Sequence, residues 1–348
     1  MVNAKMVALG ITAGALGIFM AGTAALGGAQ AGGSSAVGAE SGERTIEDGG
    51  TGPYKAVAVS NSSIATHTIY RPKDLSSFGD REKLPILAWG NGGCANSNSG
   101  HQNYLSEIAS HGYFIVAIGP NQAGGGRGGP GAGGPGAAAP ATGTPAPSGG
   151  TLLEAINWAT AQNANPQSPY YRKIDTAKVA VFGHSCGGLQ ALEIAPDPRV
   201  KTVLVVDSGI LNSPGAAPGA GAAPRGAAGP GGAAGGGNLP GMPPLTKEHL
   251  AKLHSSVFFL LGGETDIAYA NGMDDFKRIE KLPVFVANKG VGHGGTFTKP
   301  HGGDWAMASV AWLQWQFKTD AEAGKLFTGN PPGLARMDGW TVDKKNIP

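Results

Sequence analysis

Cysteine and charged residues are scarce in this sequence. Of 348 residues only two are cysteine, Cys94 and Cys186, and 14% are charged, with 26 Lys plus Arg against 24 Asp plus Glu. A chain this close to neutrality, without a basic run or interleaved basic and aromatic residues, is not expected to bind nucleic acid. The histidines and the two cysteines also lack the spacing of metal ligands. The sequence therefore implies neither a metal nor an organic cofactor.

Glycine and proline are abundant instead, with 60 and 25 residues. They concentrate in two tracts, residues 122–150 and 214–244, which consist almost wholly of Gly, Ala and Pro. Such segments bury too little apolar surface to offset chain entropy, and their glycines lack the strict three-residue period of collagen. We therefore predict two disordered insertions within a single domain that spans residues 53–348.

The N-terminus predicts export. A single lysine precedes an uncharged apolar stretch from Met6 to about Gly28, and Ala29-Gln30-Ala31 supplies the small residues of a signal-peptidase site. A retained membrane anchor is the alternative, because the stretch is long enough to span a bilayer. Its glycines and the cleavage site favour a signal peptide over residues 1–31. We expect a secreted or periplasmic protein without stable membrane anchoring, with a flexible N-terminal segment over residues 32–52.

Apolar runs and helically spaced apolar residues alternate along the predicted domain. The runs predict strands at Tyr54–Ser60, Thr66–Arg71, Leu84–Trp89, Tyr113–Ile118, Lys178–Phe182, Thr202–Val206, Val257–Leu261 and Val284–Ala287. Helices are predicted at Tyr104–Ala109, Thr151–Ala164, Cys186–Ala195, Gly272–Glu280 and Asp304–Phe317. This alternation indicates an α/β fold, with a mostly parallel central sheet and helices on both faces. Reactive side chains in such sheets collect beyond the carboxyl ends of the strands.

The segment Gly183-His184-Ser185-Cys186-Gly187 is a G-x-S-x-G motif. It follows a predicted strand and runs into a predicted helix, which is the context in which this motif forms the nucleophile turn of the α/β-hydrolase fold. The sharp turn lifts the serine oxygen above the sheet, and the glycines avoid clashes within it. The bare pattern arises easily by chance in a glycine-rich chain. Its context favours Ser185 as a nucleophile.

A serine nucleophile needs a base and an acid, and in this fold the acid precedes the base along the chain. His293, in the glycine loop after the last predicted strand, is the preferred base, and His301 is the alternative. Asp266 is the preferred acid, because it follows the strand Val257–Leu261 and leaves room for one helix and one strand before His293. Asp207, at the end of the preceding strand, is the alternative acid.

Backbone N–H groups must stabilise the oxyanion that forms during acyl transfer. The residue after the nucleophile, Cys186, is expected to donate one of them, and the glycine turn after Leu84–Trp89 offers Gly93 or Cys94 for the second. If both donors reach one oxyanion, Cys94 and Cys186 lie close enough for a disulfide, which an exported chain can form. We therefore predict a Cys94–Cys186 disulfide, with two separate thiols as the alternative.

Three stretches carry a likeness to a known family: Ala109–Val116 at a core strand, Ile174–Ser185 before the nucleophile, and Gly263–Ala268 at the acid. Each resembles the corresponding segment of the secreted polyester-hydrolase and cutinase group of bacterial α/β hydrolases, which is related to the dienelactone hydrolases. The resemblance implies that fold and ester hydrolysis by a Ser-Asp-His triad. It also favours Asp266 over Asp207.

The sequence departs from that group close to the predicted site. Cys94 stands where the group has an aromatic oxyanion-hole residue, Cys186 stands where it has methionine, and the turn Val206–Gly209 stands where it has a tryptophan platform. The group's polyester substrates therefore do not follow from the resemblance.

Together these observations predict a secreted, monomeric serine hydrolase that cleaves carboxylic esters through an acyl-enzyme on Ser185. The expected substrate is a small-molecule or polymeric ester. Acyl transfer and peptide cleavage are alternatives because they use the same residues. A hydrolase-fold binding protein without catalytic activity is the alternative from another class.

Overall fold

The computed structural model describes residues 37–121, 146–212 and 240–348. The predicted signal peptide and most of both Gly-rich tracts lie outside these residues. Within the described ranges, no helix combines the length and the apolar character needed to cross a membrane.

Ten strands of the described residues form one sheet, in the order β1-β2-β3-β5-β4-β6-β7-β8-β9-β10. The strands are β1 (Glu40–Arg44), β2 (Ala56–Asn61), β3 (His67–Pro72), β4 (Leu84–Gly90), β5 (Phe114–Ile118), β6 (Ile174–His184), β7 (Val200–Val206), β8 (Ser256–Leu261), β9 (Val284–Lys289) and β10 (Trp340–Lys345). The ladders from β5 through β4, β6, β7 and β8 to β9 are parallel, whereas β1, β2, β3 and β10 pair antiparallel with their neighbours. The predicted α/β class is confirmed.

Helices cover both faces of this sheet. They are α1 (Gln102–Ser110), α2 (Gly149–Ala164), α3 (Cys186–Ile194), α4 (Tyr269–Arg278), α5 (Gly303–Lys318) and the single turn α6 (Ala321–Gly324). Residues of α2, α3 and α4 pack in one apolar cluster, and residues of α1 and α5 pack in a second cluster on the other face.

Alternation along the buried strands supplies both clusters. In β6, Val179 and Val181 belong to the cluster with α2 and α3, whereas Ala180 and Phe182 belong to the cluster with α1 and α5. Successive side chains of a strand point to opposite faces, so a continuously apolar strand serves two helical layers. This is why the inner strands read as unbroken apolar runs in the sequence.

Both edge strands went unpredicted. The polar composition of residues 32–52 predicts a flexible segment, but β1 pairs with β2 there, and Arg71 forms an ion pair with Glu40 at 2.7 Å. Tyr170 also donates a hydrogen bond to Glu40. These side-chain partners and the backbone ladder hold a strand that has no buried apolar side chain. Strand β10 pairs with β9 along its whole length, and Trp340 is its buried residue.

The ends of the two Gly-rich tracts that the structure describes meet at helix α3. Gln190 donates hydrogen bonds from its amide nitrogen to the carbonyl oxygens of Pro147 at 2.7 Å and Gly241 at 3.2 Å. Helix α2 begins at Gly149, within the tract predicted to be disordered over residues 122–150. Its first turn is fixed because the backbone N–H of Gly149 donates to Glu193 at 3.1 Å.

Helix α3 crosses the end of β4 without side chains between them. A Cβ atom at Gly187 would lie 2.1 Å from the carbonyl carbon and oxygen of Gly90, and one at Gly183 would lie 2.4 Å from Gly187. Backbone atoms cannot move aside as a flexible side chain can, so these positions require glycine.

We expect Gly187→Ala to lower the free energy of unfolding by about 1–3 kcal/mol or more, because the added methyl group overpacks a backbone crossing. Gly290→Ala is the matched control, since a Cβ there has no neighbour within 4 Å, and it should change stability by less than about 0.5 kcal/mol. Urea titration followed by circular dichroism measures both. Equal stability of the two variants would contradict the described crossing.

Candidate active site

Ser185 occupies the turn between strand β6 and helix α3. Its backbone has φ 53° and ψ −118°, a conformation that is strained for a residue with a side chain. Hydrogen bonds hold the turn: the N–H of Ser185 donates to the carbonyl of Val206 at 2.9 Å, and its carbonyl accepts from Gly188 at 2.9 Å. The side chain of Ser208 donates to the same carbonyl at 2.6 Å. Strain that neighbours hold in place is typical of functional turns.

His293 lies in the loop between β9 and α5, and its ring reaches Ser185. The distance from His293 Nε2 to Ser185 Oγ is 2.9 Å. Gly292 and Gly295 flank the histidine with φ values of 75° and 51°, which residues other than glycine seldom adopt. The glycine loop therefore allows the ring to point back toward the nucleophile turn.

Asp266 orients the other side of the imidazole. Its Oδ1 lies 2.6 Å from His293 Nδ1 and accepts from the N–H of Ala268 at 2.8 Å, and its Oδ2 accepts from the N–H of Gly262 at 3.1 Å. Burial alone would raise the pKa of Asp266, but the hydrogen bond from His293 and these backbone donors lower it below the ordinary value. The carboxylate is ionised at neutral pH and accepts only, so Nδ1 of His293 carries the proton and Nε2 is free to accept from Ser185.

Asp207, the alternative acid, lies at the end of β7 and is fully buried. Its Oδ2 accepts a hydrogen bond from Trp305 Nε1 at 3.0 Å, whereas His293 donates its Nδ1–H to Asp266. Burial, together with the nearby negative charge of Asp266, raises the pKa of Asp207 well above its ordinary value. Two adjacent buried carboxyl groups do not both ionise readily, so Asp207 is the neutral member.

His301, the alternative base, is not part of this arrangement. It lies in the short turn before α5, where its Nδ1 is 3.3 Å from Glu47 and 3.6 Å from Glu107. The structure thus brings together the preferred members of each predicted pair, Asp266 with His293, and places His293 beside Ser185.

The candidate oxyanion donors converge from two segments. Cys186 begins helix α3, and Gly93 and Cys94 form a left-handed turn after β4, with φ values of 64° and 50°. The predicted Cys94–Cys186 disulfide is confirmed, with a distance of 5.2 Å between the Cα atoms. The covalent link fixes the spacing between the helix start and the turn.

A cavity opens beside Ser185 and His293. Its lining combines apolar side chains with a few polar groups. Besides Ser185 and His293, the lining residues are Cys186, Leu189, Asp207, Ser208, Gly209, Leu211, Met242, Ala268 and Asn271. Such a mixture is typical of small-molecule sites, in which apolar surface binds and a few polar groups orient the ligand.

Sequence reasoning missed several side chains that support the site. Ser208 donates a hydrogen bond to the backbone of the nucleophile turn, and Trp305 donates one to Asp207. His184 donates a hydrogen bond to the backbone carbonyl of His293 at 2.8 Å. His184 occupies a variable position of the G-x-S-x-G motif, and nothing in the sequence indicated its role or its partner. Trp305 is separated from Asp207 by 98 residues and carries no motif.

Comparison of the chain with protein-family models gave no match, and comparison with curated proteins gave no significant match. In the ranges that the structure describes, no group of three or more His, Cys, Asp or Glu side chains is arranged to hold a metal ion.

The two buried carboxyl groups give opposite expectations for the same substitution. Asp266→Asn should lower kcat for a p-nitrophenyl ester by about a thousandfold or more, because an amide stabilises the wrong tautomer of His293. Asp207→Asn should lower kcat less than about threefold, since an amide matches a neutral carboxyl group and still accepts from Trp305. Steady-state kinetics on both folded variants measures this. If Asp207→Asn is the more damaging change, the assignment of the acid is wrong.

We expect removal of the disulfide to affect stability and turnover together. The bond joins two residues that are 92 positions apart in the sequence. By the chain-entropy argument, loss of such a crosslink lowers the free energy of unfolding by about 4–5 kcal/mol. Cys94→Ala combined with Cys186→Ala should lower the unfolding midpoint and also kcat at temperatures where the variant stays folded. Urea titration and esterase assays, with reduced wild-type protein as the control, measure both effects. An unchanged unfolding midpoint would contradict a structural role for the bond.

Proposed function

We propose that this chain is an exported serine hydrolase of the α/β-hydrolase fold that cleaves carboxylic esters through an acyl-enzyme on Ser185. The observation that carries the proposal is the continuous hydrogen-bond path from Ser185 Oγ through the imidazole of His293 to Asp266, with distances of 2.9 and 2.6 Å. A serine hydroxyl activated by an oriented histidine is a catalytic arrangement that recurs on unrelated folds.

The placement of these residues on the sheet supports the fold assignment. Ser185 lies at the carboxyl end of a central parallel strand, on a strained turn into a helix, as a nucleophile turn does. The acid follows β8 and the base follows β9, so the chain order is nucleophile, acid and base. A parallel sheet with helices on both faces brings these three strand ends to one edge.

In the proposed reaction, Ser185 Oγ attacks the ester carbonyl while its proton moves to Nε2 of His293. Asp266 keeps the proton on Nδ1 and stabilises the imidazolium that forms. The imidazolium returns the proton to the leaving alcohol, and an ester bond to Ser185 remains. Water, activated by the same imidazole, then releases the acid and restores the serine.

The tetrahedral intermediates carry a negative charge on the former carbonyl oxygen. The backbone N–H of Cys186 and that of Gly93 or Cys94 are the proposed donors, because the disulfide draws these two segments together. Donors that are already in place need no rearrangement during the reaction, which makes them effective.

Apolar side chains beside Ser185 favour an ester with an apolar acyl group. Leu189, Leu211 and Met242 line the cavity next to the nucleophile, and they can shield the acyl chain from water. The disulfide supports an oxidising destination, since such bonds persist in exported proteins.

Ser185→Ala should abolish labelling by a fluorophosphonate probe and lower kcat for a p-nitrophenyl ester by at least about a thousandfold. Ser76→Ala, which changes an exposed serine in the loop between β3 and β4, is the matched control and should leave both unchanged. Intact-mass measurement of the probe adduct and a colorimetric assay give the two readouts. Absence of labelling on folded wild-type protein would refute the proposal.

Addition of an alcohol acceptor to the same assay, with product analysis, tests for acyl transfer. An ester product formed at the expense of the acid would show an acyltransferase instead of a hydrolase.

A further inference from the structure

Two histidines outside the triad form a hydrogen-bonded pair behind it. His184 Nε2 lies 2.8 Å from the carbonyl oxygen of His293, and His184 Nδ1 lies 3.2 Å from Nε2 of His101. His184 is 5% exposed. The path runs from the start of helix α1, through the residue next to Ser185, to the backbone of the proposed base.

The partners determine where the protons lie. A carbonyl oxygen can only accept, so Nε2 of His184 must carry a proton. Burial lowers the pKa of His184 well below its ordinary value and that of His101 to about 3, so both rings are neutral at working pH. Nδ1 of His184 then has a lone pair and accepts from the Nε2–H of His101. Among the described residues Nδ1 of His101 has no hydrogen-bond partner, and the path ends there.

Packing leaves the two rings little freedom. Both contact Phe297, with ring centroids 4.7 Å from His101 and 4.8 Å from His184, and Trp89 packs against His101 at 5.0 Å. A Cβ atom at Gly92 would lie 2.6 Å from Nδ1 of His184, so this ring also fills the space beside the turn after β4. The pair therefore contacts the nucleophile turn, the base loop and the turn that precedes Cys94.

We propose that His101 and His184 act as a pair of positioning residues for His293. The hydrogen bond from His184 fixes the carbonyl of His293, and this sets how close the imidazole of His293 lies to Ser185. His101 in turn fixes the tautomer and the ring orientation of His184. This proposal rests on the proposed function and assigns two residues to the same site. Neither residue is among those that line the cavity beside Ser185, so their loss should affect kcat and leave KM nearly unchanged.

A set of leucine and glutamine variants tests the pair. His184→Leu should lower kcat for a p-nitrophenyl ester by about ten- to a hundredfold, because a misplaced base loses that much, while KM stays within about twofold. His184→Gln places an amide donor near the carbonyl of His293 and should recover most of this loss. His101→Leu should have a smaller effect of the same kind. His254→Leu is the matched control, since this exposed histidine also bonds a backbone carbonyl through Nε2, at 3.1 Å, but lies outside the site; its kinetics should equal those of the wild type.

Double substitution separates a shared role from two independent ones. If His101 acts through His184, then His101→Leu combined with His184→Leu should be no slower than His184→Leu alone. Multiplied losses would overturn the proposal, as would equal kcat for His184→Leu and the wild type. If His184→Leu does not fold, kcat of His101→Leu is compared with kcat of His101→Gln. A higher kcat for the glutamine variant supports the proposal, and an equal loss of kcat in both variants overturns it.

A measurement without activity completes the test. Long-range ¹H–¹⁵N spectra of the histidine rings should show His101 and His184 as neutral Nε2–H tautomers at pH 7. A charged ring or an Nδ1–H tautomer at His184 would overturn the proposal. Wild-type protein that folds but shows no probe labelling at Ser185 would instead refute the proposed function, so the two failures are distinguishable.

Discussion

The close crossing of helix α3 over the end of strand β4 is the contact on which the site depends. Gly187 and Gly90 meet backbone to backbone, with no space for a single methyl group. The Cys94–Cys186 disulfide joins the same two segments next to this crossing. Interiors packed this closely do not deform gradually, so the start of α3 has one position relative to the turn after β4. The strained conformation of Ser185 persists because the segments on both sides of it are fixed in this way.

Electrostatics adds a second constraint, because two carboxyl groups lie at the ends of the adjacent strands β7 and β8. Asp266 has two backbone donors and His293 around it, whereas Asp207 is fully buried with Trp305 as its donor. One buried negative charge is stabilised there and a second is not, so the proton resides on Asp207. A single carboxylate then faces the imidazole. In the proposed reaction, the imidazolium of His293 meets one negative charge, that of Asp266.

Much of the fold and the candidate site could be predicted from local patterns. The inner strands are apolar on both faces, and the serine motif has strand and helix on its two sides, so periodicity and spacing sufficed for both. The edge strands β1 and β10 could not be found in this way, because backbone pairing and contacts such as Arg71 with Glu40 hold them. Spacing and the resemblance favoured Asp266 and left Asp207 as the alternative acid. The hydrogen-bond partners that separate the two carboxyl groups, His293 for Asp266 and Trp305 for Asp207, could not be predicted, because Trp305 lies far along the chain from either strand end.

His101 and His184 show why such supporting groups escape sequence reasoning and why they matter to the geometry. His184 precedes Ser185 in the chain and donates a hydrogen bond to the carbonyl of His293. A shift of the end of β6 therefore moves the nucleophile and the base loop together. By this argument, small movements of the sheet change the distance from Ser185 Oγ to His293 Nε2 little. A base held only by Asp266 would follow the loop after β8 instead, which belongs to a different strand end. The pair of histidines therefore ties the base to the strand that presents the nucleophile, while Asp266 sets the tautomer.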